Sequence, residues 1–541
     1  MVATKLPAAP SAEQPTLTAS RIHAMEPLLR TDRSAVNELV GLLHACEEGR
    51  GRAQLAALQV CRALFAHWAR EGELCLRPAA AAEADGSPPH AAIDAYREWL
   101  RGKYRRFVGV AHRLLASGKT ARALRGAAMD SLMLLAAAEV RQAHGPPLAA
   151  LDRAGGAFRQ MVAALAHSAA PLPAEVLDRL RDEHLSKLDV SHHLLKELCR
   201  LARSKPAHPA RLVELLLLVT PPDRDVDPKQ ATFLLDRKDL VRADAPRAAK
   251  GAAAWPASMR RLLLKKVHRA LFCKAWRAVL QLRLPDGTFR MVLQRLPTAV
   301  LPHVPKPLRY CDLLSDGYDR GGVDAVLALK GLFTLMLKHN LEFPRFYARL
   351  YALLSPEALQ GPHRSSFALE LQLLLSSTGL PAYLLAAFAK RLARLALHST
   401  PSSAALSCGL IFNVMLQHPS VRSLVNRPIG AARPLAPEDA DPFLPDEPEP
   451  EACRAVDSCL WEVDSLRSHF CPTVASLAAL FAKPIERTTP PVDLAPLAEL
   501  TYDALARLEA RPHPKEVPLA IRKPTALFGE GSGSAGLSAW G

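Results

Sequence analysis

The chain has 541 residues, 49% hydrophobic and 6% aromatic, and carries 69 Lys and Arg against 53 Asp and Glu for a net charge of +16. That length supports two or more domains with a sizeable core, and the basic surplus favours anionic partners, nucleic acid first. Ten scattered cysteines argue for buried thiols in a reducing compartment, with no disulfide framework; no apolar h-region opens the chain and no apolar run spans a bilayer, so neither a secretory signal nor a membrane partner is expected.

In chain order, residues 1–20 read as a mobile tail, and 21–220 as helix after helix with short Gly- or Pro-bearing connections. Leu39, Leu42, Leu43 and Cys46 make one apolar stripe; Leu55, Leu58, Cys61, Leu64, Phe65 and Trp68 make the next. Residues 76–90 are a loop, followed by helical patterns over 95–115, 121–140, 148–166, 173–188, 192–202 and 209–219. Residues 220–256 turn polar and proline-bearing and separate two helical blocks. A basic helix over 259–284 follows, then helices over 322–339, 344–354, 365–375, 381–398, 404–418, 472–482 and 494–509. With no alternating strand pattern the fold class is all-α, a series of stacked antiparallel helix pairs without a fixed sequence period.

Motifs for catalysis or ligation fail on spacing. Ser117-Gly118-Lys119-Thr120 looks like the end of a phosphate loop, but Arg113 stands where the first glycine belongs and a helix precedes it, so it reads as a turn. Cys453, Cys459, His469 and Cys471 lack the paired spacing of a zinc site and read as free thiols, with Cys459 on an apolar stripe. His192-His193 reads as a helix-surface pair. No catalytic residue, metal ligand, cofactor or small-molecule substrate is expected, and the protein reads as a non-enzyme.

Two basic clusters carry more weight. Arg101, Lys103, Arg105 and Arg106 fall in a stretch where Glu98 is the only acid, with Tyr104 and Phe107 interleaved. Arg260, Arg261, Lys265, Lys266 and Arg269 fall in a stretch with no acid and an apolar side containing Leu262, Phe272 and Trp276. Such helices can lie against RNA phosphates or an acidic protein, or present a solvated face. No groove-reading motif accompanies them.

The stretch 441–474 joins a proline-stiffened acidic loop to a helical pattern in which Ala452, Val456, Cys459, Leu460, Val463, Leu466 and Phe470 share one stripe and Pro472 ends it. Trp461 lies opposite that stripe, so either the Pro442-Phe443 loop or a partner must cover it.

Four stretches of the C-terminal half resemble the CCAAT-binding-factor (CBF) domain of the nucleolar complex family. They are 310–354, with Asp316-Gly317-Tyr318-Asp319 and Gly321-Gly322 opening a helix; 380–397; 411–419, IFNVMLQHP; and Asp441-Pro442-Phe443 with Asp457-Ser458-Cys459-Leu460-Trp461-Glu462. The resemblance is specific over about 300–510, with Cys459 and Cys471 standing where the family often has Ser and His. It implies a HEAT-like helical-repeat solenoid and a nucleolar, non-enzymatic scaffold of the small-subunit processome. It further implies action as a heterodimer with nucleolar protein 14 on pre-ribosomal particles, in small-subunit rRNA maturation. Asp319, Asp441, Pro442, Phe443, Trp461 and Glu462 become its family-motif or partner residues. The expected division is a tail over 1–20, N-terminal repeats over 21–220, a linker with a basic helix over 221–299, a CBF-type domain over 300–510 and an extension with a flexible tail over 511–541. A transcription-linked nuclear binding protein and a transport-type solenoid remain as alternatives.

Overall fold

The computed structural model describes residues 18–74, 91–142, 151–168, 170–204, 208–228, 230–234, 257–361, 363–425, 441–486 and 488–510. Residues 1–17, 76–90, 235–256 and 511–541, where the sequence reading expects tail, loop and linker, lie outside these described residues. The fold is all-α, with short 3₁₀ and π turns and no strand among the described residues. Nor is any described helix long and apolar enough to cross a membrane. The chain forms two compact units, Met1–Leu314 with Gly331–Leu341, and Ser315–Lys330 with Glu342–Gly541.

The first unit contains α1 (Ala19–Thr31), α2 (Glu38–Glu48), α3 (Gly51–Arg70), α4 (Ala91–Ala116), α5 (Arg122–Gln142), α6 (Ala157–Ala166), α7 (Ala174–Arg179), α8 (Leu188–Leu201), α9 (Pro209–Leu218), α10 (Ala257–Leu262), α11 (Lys265–Leu280) and α12 (Asp286–Arg295). Helices α13 (Cys311–Asp319) and α14 (Gly322–His339) contribute residues to both units. The stripe of α2 is wholly buried, as are Leu58, Cys61, Leu64 and Phe65 of α3, which packs on α1, α2 and α5. The Phe65 ring lies 5.3 Å from that of Phe107 on α4 and 5.6 Å from Tyr104, so the aromatics interleaved in the basic stretch serve the core.

Two local expectations change. The basic stretch 259–284 is not one helix, because Leu264 adopts extended backbone between α10 and α11. Residues ahead of it hold that break: Val226 N–H donates to Leu263 O at 2.8 Å, and Asp225 Oδ1 caps the start of α11 by accepting from Lys265 N at 2.8 Å. The histidines 192 and 193 are not a surface pair. His193 is buried with Nδ1 2.9 Å from Asp152, and burial lowers the His192 pKa to about 4.

The second unit adds α15 (Phe346–Ala352), α16 (Pro356–Gln360), α17 (Arg364–Leu375), α18 (Ala382–Leu397), α19 (Pro401–Gln417), α20 (Trp461–Leu466), α21 (Pro472–Ala479), α22 (Leu494–Ala498) and α23 (Tyr502–Ala510). Its axis is α19, buried all round from Pro401 to Met415, the pattern of a helix with neighbours on every side. Those neighbours are α17, α18, α21 and α22. Close approach of α22 requires Gly409, where a Cβ would stand 2.8 Å from a Leu494 methyl. Asn413 fixes the incoming chain by donating to Val492 O and accepting from Val492 N, both at 2.8 Å.

Candidate interaction interface

A four-residue spacing on α18 puts Lys390 and Arg394 on one face, and Lys390 falls among Ala386, Ala389 and Ala393, all buried. A lysine there needs anions, and the segment 441–462 supplies them. Lys390 Nζ lies 2.8 Å from Asp441 Oδ2 and 2.8 Å from Glu462 Oε1, and donates to Cys459 O at 2.6 Å. Arg394 reaches Asp441 Oδ2 and Glu462 Oε1, each at 2.7 Å. The Glu462 oxygens accept no well-aligned hydrogen bond among the described residues, so charge dominates that pairing. Asp441 also accepts from Ser458 Oγ at 2.5 Å and from Trp461 Nε1 at 3.0 Å.

Electrostatics separates the two acids. Burial pushes the Asp441 carboxyl up, but hydrogen bonds from Lys390, Ser458, Trp461 and the Phe443 N–H outweigh it and hold the group well below the usual range. Burial pushes Glu462 upward, and Lys390 offsets this only in part.

Trp461 sits over both cations, 5.5 Å from Lys390 Nζ and 4.7 Å from Arg394 Cζ, while Phe443 covers Lys390 from another side at 5.8 Å. The Pro442-Phe443 loop therefore folds back as one reading of the sequence expected: Phe443 is buried and Pro442 half-buried. Cover is incomplete, since Trp461 keeps 40% of its surface exposed. It shares a cleft of about 310 Å³ with Leu424, Val425, Leu460, Phe481 and Arg467.

The long helix expected through 452–470 is absent. Arg454 takes a left-handed backbone at φ 58°, Leu460 N–H donates to Leu424 O, and helix begins only at Trp461. Backbone groups that an i to i+4 ladder would use are spent on tertiary bonds, so Ala452, Val456 and Cys459 face outward and Phe470 is 81% exposed. Cys453 and Cys471 are buried, and the four Cys and His residues of this stretch do not converge on a metal position among the described residues.

Asp319 lies elsewhere in this unit. It is exposed and bonded to Arg349 at 2.7 Å, beside a cavity of about 540 Å³ whose rim includes Gly321 and Gly322, both with positive φ.

The basic residues belong to the first unit. Arg101 donates to Leu74 O at 2.6 Å, Lys103 sits 5.1 Å over Trp99, and Arg106 pairs with Glu47, leaving Arg105 exposed. Glu47 lies far upstream, so inspection of the stretch alone missed it. Arg260, Arg261, Lys265 and Lys266 are exposed and pair with no acid among the described residues; Arg269 is 3.4 Å from Asp223. Lys390 and Arg394 were the residues sequence reasoning missed, and a lysine on the alanine-lined face of α18 was the signal that could have found them.

Residues 325–478 match the CBF/Mak21 family, a span that includes the whole of the Lys390 cluster. The chain is 30% identical to the nucleolar complex protein 4 homolog of Gallus gallus over 515 residues, covering 93% of this chain and 94% of that one. This chain belongs to the nucleolar complex protein 4 family. The family likeness is sharper over part of the chain: the Mus musculus and Homo sapiens homologs are each 41% identical over 266 residues, so the matched region spans about half the length of those relatives and 49% of this chain. As a member of this family it is a nucleolar protein of the nucleus.

Proposed function

We propose that this protein is a non-enzymatic scaffold of the small-subunit processome that acts with a nucleolar protein 14-like partner in small-subunit rRNA maturation. The observation that carries the reading is the near end-to-end likeness to a nucleolar complex protein 4 homolog. Two features support it. The half-exposed Trp461, backed by two cations and beside a cleft, is a rigid aromatic anchor for a protein segment. The exposed Arg260, Arg261, Lys265 and Lys266 offer phosphate contacts that need no base reading.

The test is affinity purification of the tagged full chain with crosslinking mass spectrometry, alongside gradient sedimentation. A nucleolar protein 14-like partner crosslinked to the CBF-type region, in particles carrying small-subunit precursor rRNA, is the expected result. Recovery with large-subunit precursors only, or with shuttling cargo and no pre-rRNA, refutes it.

A further inference from the structure

We infer that Asp130, Glu183 and His184 form a site for a divalent cation with mixed nitrogen and oxygen donors. Asp130 lies on α5, and Glu183 and His184 lie on the π turn Leu180–His184 that follows α7. One ligand atom from each lies within 4.8 Å of the others. His184 is only 9% exposed, and neither of its ring nitrogens has a hydrogen-bond partner among the described residues. Asp130 Oδ1 is likewise buried and unpartnered. Leaving buried polar atoms unsatisfied is costly, and a single ion would engage one His184 nitrogen and the Asp130 oxygen at once. The π turn is itself a geometry that recurs at functional sites.

Arg179 is the competitor. Its Nη1 lies 3.3 Å from Asp130 Oδ2 and its Nε 3.1 Å from Glu183 Oε1. It engages one oxygen of each carboxylate, makes no hydrogen bond to His184 although its charge opposes a cation there, and is 40% exposed, so its guanidinium can swing to solvent. Arg62 also faces Asp130, and with Lys187 it weakens the site without blocking it. Metal ligands about 2 Å from an ion stand roughly 3–3.5 Å apart, so the three atoms must close slightly. The exposed Glu183 supplies that movement. A thiol-free donor set suits manganese or zinc over softer ions.

Manganese is the probe, because the cysteines of this chain would capture zinc elsewhere. The full-length protein is titrated with Mn²⁺ and the free ion read by electron paramagnetic resonance. The expected result is a single saturable site, weakened about tenfold or more in Glu183→Gln and in Asp130→Asn. Arg179→Met should tighten it roughly tenfold by removing the competing charge. Since Glu183 is exposed, Glu183→Gln remains informative if Asp130→Asn misfolds by circular dichroism. Unchanged affinity in Glu183→Gln, or no saturable site in either the wild type or Arg179→Met, overturns the assignment and leaves an ion-pair network only.

Discussion

Lys390 Nζ and the Glu462 carboxylate face each other 2.8 Å apart, and neither side chain reaches solvent. Taking one partner away leaves Glu462 with only the part-exposed Arg394, or Lys390 with only Asp441, and so removes the fully buried counter-charge at a cost on the order of 2–3 kcal/mol. Lys390→Met or Glu462→Gln should therefore lower the thermal midpoint of the second unit sharply, while the double variant Lys390→Met with Glu462→Met should recover part of the loss. Equal or greater loss in the double variant would mean that the pair contributes by packing and not by charge.

Phe443 and Trp461 should part company on substitution. Phe443 is buried, so Phe443→Ala should cost about 3 kcal/mol in chemical denaturation. Trp461→Ala loses one hydrogen bond and two cation contacts at a half-exposed site, and should cost about 1–2 kcal/mol while reducing capture of the protein partner. Undiminished capture by folded Trp461→Ala would remove the anchor role.

Glu370 makes stability depend on pH. Burial raises its pKa from 4.5 to about 7, against hydrogen bonding from Ser366 and the Lys330 charge. The folded state holds this proton more tightly than the unfolded chain, so the contribution is full below pH 4.5 and is lost as pH rises to about 7. Glu370→Gln should stabilise the protein at pH 8 on the order of 2 kcal/mol and change little at pH 4. An equal effect at both values would contradict the assignment.

Charge reversal of Arg260, Arg261, Lys265 and Lys266 should abolish most salt-dependent association with precursor particles and flatten the dependence of log K on log salt. Particle binding that keeps its full salt slope would show that α10 and the start of α11 do not touch phosphate.

Helix identity was legible because apolar spacing survives wherever a helix has one buried face, as in α2 and α3. It failed over 452–470, where the spacing was present but Lys390 and the Leu424 carbonyl claim the backbone groups that would have continued a helix. Half of the Lys390 cluster was readable: Trp461 announced itself by lying opposite the apolar stripe, and Asp441, Phe443 and Glu462 belonged to the family pattern. The cations beneath it were hidden inside an apolar helix. Glu47 beside Arg106, and Asp130 beside His184, could not be read at all, because proximity there comes from helices packing across long stretches of chain.

The encirclement of α19 has a consequence for synthesis. Its last wall is α22, clasped through Asn413 and Val492, and that wall is synthesised well after α19 itself. Until α22 has emerged, α19 keeps an apolar flank that only this later segment closes, and the nascent chain should depend there on holding chaperones.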